Sequence, residues 1–94
     1  MQMTATITAE TKLNTRGALK LLEEIRAARG ADVTIDASRV ETLGTLALQV
    51  LLSARRTWAE DGHAFGIGEI SDHMQGALAL TGLGLDALTA GDAA

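Results

Sequence analysis

The spacing of apolar and polar residues changes several times along the chain, and each change marks an element. Residues 3–9, MTATITA, are rich in β-branched side chains and run into the polar Glu10-Thr11-Lys12, which predicts a short strand of the edge type. After Asn14 and Thr15, either of which can cap a helix, Ala18, Leu21, Leu22, Ile25 and Ala28 recur every three or four residues, and Gly30 stands where a helix stops. Glu24, Arg26 and Arg29 then fall on the solvated side. Residues 31–36 alternate, with Val33 and Ile35 on one face, so they read as a strand that leaves through a turn at 36–39.

A second helix is predicted over 46–59, where Ala47, Val50, Leu51, Ala54 and Trp58 repeat at helical spacing. Leu48 and Leu52 add a second apolar edge, so this helix needs cover on more than one side and should be the most buried. Asp61-Gly62 closes it. Residues 63–70 alternate Phe65 and Ile67 with small residues and read as a strand despite Gly66 and Gly68. Ser71 is an N-cap without a full capping box, because Met74 and not a glutamate follows three residues later. The third helix runs to about Leu80 and stops at Thr81-Gly82-Leu83, and residues 89–94 are small and polar enough to fray. Strand and helix thus alternate, which predicts a single α/β domain over residues 1–94. Its sheet should be small, about four strands, largely parallel in its later part and flanked by three helices.

Composition narrows what such a domain can do. Ninety-four residues make one core and leave too little chain for a second domain or a deep cofactor cavity. The absence of cysteine excludes disulfide scaffolds, zinc ribbons, thiol enzymes and iron-sulfur centres. A net charge of -4 and an aromatic complement of only Trp58 and Phe65 argue against nucleic-acid binding, which needs clustered cations or stacking platforms. A basic partner is easier to accommodate. No apolar run is long enough to span a bilayer, and no basic-then-apolar signal segment opens the chain, so the expected location is the cytoplasm.

Candidate chemistry is sparse. His63 and His73 are ten residues apart with no spacing suited to a metal, so they read as a turn residue and a solvated helix residue. Ser38, Ser53 and Ser71 lie in no Gly-x-Ser-x-Gly elbow, and Gly66-x-Gly68 lacks the third glycine and the Lys-Ser/Thr pair of a phosphate loop. Those glycines read as room for close packing. Glu23 and Glu24 are sequence neighbours on a helix surface and do not face each other. No catalytic residue, metal site or cofactor is expected. Thr45 is different: with Gly44 it lies between a turn and an almost wholly apolar helix, where unpaired N–H groups and the positive end of the helix dipole gather. Its hydroxyl suits a helix cap, and equally a phosphate acceptor that would add nearly two negative charges and change the helix little. Leu46 and Gln49, in the same turn, would feel that change directly, although the simpler roles for them are core and solvated surface.

Three stretches resemble the STAS domain, the fold shared by anti-sigma-factor antagonists and the cytoplasmic tails of sulfate transporters. Val33-Thr-Ile-Asp36-Ala-Ser38-Arg-Val40 is similar to the family's strand and Asp-x-Ser-x-Val turn. Residues 40–51 resemble its central motif, an apolar strand end, Asp-Ser-Ser/Thr-Gly-Leu-Gly and an apolar helix, and Leu78-Ala-Leu-Thr81-Gly82-Leu83 resembles the ending of its last helix. The resemblance spans residues 33–83. In antagonists of this family a partner anti-sigma kinase phosphorylates the Ser or Thr after the aspartate, and only the unphosphorylated form binds that partner. The acceptor position falls on Thr45, the aspartate on Gly44, the second hydroxyl residue on Leu46, and the two glycines on Ala47 and Gln49.

The resemblance therefore implies a non-catalytic, protein-binding regulatory module whose candidate interface is Gly44, Thr45, Leu46 and Gln49, with Thr45 as candidate phospho-acceptor. Its partner would be a histidine-kinase-like ATPase, either an anti-sigma factor or a chemotaxis kinase; Leu48-Gln-Val-Leu-Leu-Ser-Ala-Arg55 resembles the chemotaxis-associated members. The alternative is a STAS subunit that binds the ATPase of a lipid-transporting ABC complex, since such subunits keep a threonine at this point and need no phosphorylation. The family usually has two strands before its first helix, and this sequence shows one clear one.

Overall fold

The structure is a computed structural model that describes residues 4–82 and 85–88. The chain runs β1 (Thr4–Thr8), β2 (Lys12–Leu13), α1 (Thr15–Ala27), β3 (Asp32–Ala37), β4 (Thr42–Leu43), α2 (Thr45–Asp61), β5 (Phe65–Ile70), α3 (Asp72–Thr81) and a closing 3-10 turn, Leu85–Leu88. The main sheet has three parallel strands in the order β1-β3-β5, so β1 is an edge strand. The expected α/β class with a parallel sheet and three helices is what the chain adopts. The fourth strand of the expected sheet is instead a separate two-residue parallel ladder, β2 against β4, which pairs Lys12 with Thr42 and Leu13 with Leu43. A second strand segment therefore does precede α1. It is held by backbone bonds to the segment before α2: Glu41 and Thr42 N–H both donate to the Thr11 carbonyl, at 2.7 and 3.2 Å.

Alternation along β3 sends Val33, Ile35 and Ala37 into the core, and in register beside them lie Ile7 of β1 and Phe65 of β5. α1 and α2 contact each other and close over this face, α1 with Ala18, Leu21 and Ile25, α2 with Ala47, Val50, Leu51, Ala54 and Trp58. α2 also contacts β5 and the closing turn, which is the cover its broad apolar surface requires. The Trp58 indole N–H donates to the Ala31 carbonyl at 2.7 Å, so the one polar atom of that buried ring is paired, and the ring tilts against Phe65 with centroids 5.8 Å apart. On the opposite face Thr4, Thr6 and Thr8 are exposed.

The ends of the helices follow local chemistry. The Asn14 side chain accepts from Gly17 N–H at 3.0 Å and caps α1, while Thr15 is its first helical residue. Ser71 Oγ accepts from Met74 N–H at 3.1 Å and caps α3, and its hydroxyl also donates to the Val40 carbonyl. Gly62 and Gly82 end α2 and α3 with φ of 76° and 77°, the left-handed turn that favours glycine. Leu83 of the stop motif and the tail at 89–94 lie outside the described residues. No described helix is long and apolar enough to cross a membrane.

Candidate docking site

The site is assembled by the β2–β4 ladder, which delivers the chain to the start of α2. Gly44 N–H donates to the Leu13 carbonyl at 2.9 Å, and the Gly44 carbonyl accepts from Leu48 N–H at 3.1 Å, so Gly44 belongs both to the ladder and to the helix. Gly44 is the N-cap residue, with extended backbone and no side-chain oxygen to cap the helix. The expected capping role of Thr45 is therefore not used; Thr45 is the first helical residue, and α2 begins one residue earlier and ends two later than its apolar period indicates. A glycine is required here by close approach, since a Cβ would stand 2.9 Å from the Leu13 carbonyl oxygen. The family's aspartate does not fit this backbone as it stands.

Thr45 is exposed, and its hydroxyl has no hydrogen-bond partner among the described residues. Leu46, an apolar residue whose simpler role was core, is 41% exposed. Ala47, next along, turns into the core, and Gln49 is exposed one turn on from Thr45 and Leu46. Gly44 is half-buried beneath them. The four residues expected to act together thus lie side by side at the start of α2, from its N-cap to its second turn. The first N–H groups of α2 have no intrahelical acceptor and lie at the positive end of the helix dipole, and no acidic residue occupies this turn.

The same end of the sheet carries two cations not singled out by sequence patterning. Lys12 and Arg39 line a shallow, open cavity of about 400 Å³ with Thr8 and Thr11, where the chain leaves β1 and β3. Lys12 reaches this place only through its pairing with Thr42, and a two-residue strand leaves no periodic signal to reveal it. Glu10, also in the lining, is occupied by Lys20 Nζ at 2.8 Å.

The remaining candidates separate. His73 is exposed on α3, whereas His63 Nδ1 lies 3.4 Å from Asp32, whose carboxylate also accepts from Ala64 N–H at 2.9 Å. Ser38 and Ser53 are exposed on different elements, and Ser71 is engaged as a cap. No group of three metal-type side chains converges among the described residues. The close-packing role expected of both glycines in β5 holds only for Gly68, where a Cβ would come within 3.1 Å of Thr34 Cγ2; at Gly66 it would meet nothing within 4 Å. Asp36 accepts from Ser38 N–H at 3.0 Å, and bonding to Ser38 holds its carboxyl below the usual carboxylate value. This fixes the turn of the Asp-x-Ser-x-Val motif.

Over residues 2–89 the chain matches the family described as "Mlab, STAS domain". The chain belongs to the STAS family. No curated protein matches it. A STAS domain is a regulatory or binding module, typically non-catalytic, that generally works through protein–protein interaction. In this STAS domain the motif position and an outward-facing apolar residue coincide at the first turn of α2.

Proposed function

We propose that this STAS domain is a non-catalytic, protein-binding regulatory module of the anti-sigma-factor-antagonist type. It acts in the cytoplasm and docks a histidine-kinase-like ATPase, an anti-sigma factor or a chemotaxis kinase, through Gly44, Thr45, Leu46 and Gln49. The observation that carries this reading is the exposure of Leu46 beside a Thr45 hydroxyl that has no hydrogen-bond partner among the described residues, at the motif position. A large apolar side chain held outward on a helix turn offers a partner apolar area to bury. Phosphorylation of Thr45 would place nearly two negative charges against that anchor. The positive end of α2 stabilises those charges, so the switch alters the surface and leaves the fold intact.

Gly44 favours a second reading. With no aspartate at this position and no acidic residue in the first turn, the carboxylate that the family motif sets beside its acceptor is missing next to the Thr45 hydroxyl. A constitutive complex with the ATPase of a lipid-transporting ABC system uses the same surface without modification. The two readings are separated by purifying the tagged wild type, Leu46→Ser and Thr45→Glu from the protein's own cells, with partners identified and intact mass measured. The antagonist reading expects a phosphorylated fraction and loss of a histidine-kinase-like partner in both variants. The transporter reading expects an unmodified chain and an ABC ATPase that survives Thr45→Glu but not Leu46→Ser. A partner that survives Leu46→Ser removes the docking turn itself.

A further inference from the structure

A groove of about 290 Å³ runs between α1 and α2, with Leu22, Arg26 and Arg29 on one lip and Val50, Ser53 and Thr57 on the other. Its two lips are helical stripes. On α1 positions 19, 22 and 26 step by three and four residues, with Arg29 in the turn just past the helix, and on α2 positions 46, 50, 53 and 57 do the same, so Leu19 and Leu46 lie one turn before the lining residues of each lip. These are two large apolar side chains that the fold leaves outside, Leu19 at 52% and Leu46 at 41% exposure. The other end of the groove is basic. Arg29 is clamped to Asp61 across the helices, Nε to Oδ2 at 3.0 Å, whereas Arg26 makes no ion pair with a described residue. Among the described residues that line the groove there is no carboxylate; Asp61, beside it, is taken by Arg29. Its floor, Ile25, Ala54 and Trp58, is already closed by packing of α1 on α2. The groove is therefore shallow and suited to a ridge of side chains.

We propose that this groove receives an amphipathic helix of the partner protein, with an apolar stripe along Leu19, Leu22, Leu46 and Val50 and carboxylates at the end that meets Arg26. The proposal deepens the docking reading and rests on it, because Leu46 belongs to both surfaces. Charge selects the occupant. A second copy of this chain, laid on the groove through the same surface, would bring its own arginines and no carboxylate to Arg26, whereas a helix ending in Asp or Glu supplies the missing charge and aligns its negative dipole end with the cations.

The test is an amide-resolved NMR titration of the full chain with two synthetic helices of about 14 residues, some four turns. Both carry leucines at i, i+3 and i+7, one ending in two glutamates and the other in two lysines. The acidic peptide is expected to shift Leu22, Arg26, Val50, Ser53 and the Trp58 indole and to bind about fivefold more tightly than the basic one, the scale of an exposed ion pair. Arg26→Glu, at an exposed position, should invert that order. Equal binding of the two peptides, shifts outside the groove or no shifts at millimolar peptide each overturn the proposal. In the purification experiment, a partner lost by Leu46→Ser but kept by Arg26→Glu rejects the groove and leaves the docking turn standing; one kept by both rejects the docking turn as well.

Discussion

Gly44 shows how one residue sets both the geometry and the chemistry of the site. Its missing side chain lets the start of α2 bond to the Leu13 carbonyl, and the same absence removes the carboxylate that the STAS motif places before its acceptor. Gly44→Asp would gain a helix-capping oxygen, worth a few tenths of a kcal/mol over glycine, but would drive a Cβ to 2.9 Å from a backbone oxygen. Overpacking against backbone costs roughly 1–3 kcal/mol, so the steric term wins. The variant should be less stable by about that amount in urea unfolding, although it restores the family residue. Ser71 was legible as a cap from sequence, and Asn14 as one of two candidates with Thr15, because an N-cap depends on its neighbours within one turn. Leu46 was legible as surface only through its place in the family motif: whether that position of a broadly apolar helix faces the core depends on what lies over the turn, and no local pattern encodes it.

At the level of elements, the long periodic segments are readable and the short ones are not. α1, α2, β3 and β5 announce themselves through periods of 3.6 and 2, whereas β2 and β4 span two residues each and exist only because the chain before α1 meets the chain before α2. Lys12 and Arg39 share that fate, and so the cavity they line escaped the sequence. α3 is tied to this region by Ser71, which caps the helix and donates to the Val40 carbonyl between β3 and β4. Ser71→Ala removes the cap and leaves a carbonyl without its partner. A loss of about 1–3 kcal/mol is expected in the unfolding free energy from urea titration, from a cap worth about 1 and an unmade bond of similar size. Hydrogen exchange in α3 should rise with it, and unchanged protection there would show that the helix is held by packing alone.

For the whole molecule, α1 and α2 pack side by side on one face of the sheet, latched at the far end by Arg29 and Asp61. The hydrogen bond from Arg29 holds the Asp61 carboxyl below its ordinary value of 3.8, and Ser38 does the same for Asp36. Both groups bind protons less readily folded than unfolded, so their contributions are fully present above the ordinary carboxylate range and are lost as pH falls through it. The urea midpoint should be level near neutrality and decline below about pH 4, and Asp61→Asn should flatten part of that decline. An acid limb unchanged in Asp61→Asn would mean that the latch carries no proton-linked stability. The proposed docking surface lies at the opposite end of this face, at the first turn of α2. Isothermal titration of the co-purified ATPase with wild type and Leu46→Ser tests that assignment most directly. Burying one leucine contributes about 1.5–3 kcal/mol, so the account predicts at least a tenfold weaker complex for the variant with its fold intact. Equal affinity for both chains would place the interface elsewhere on the molecule.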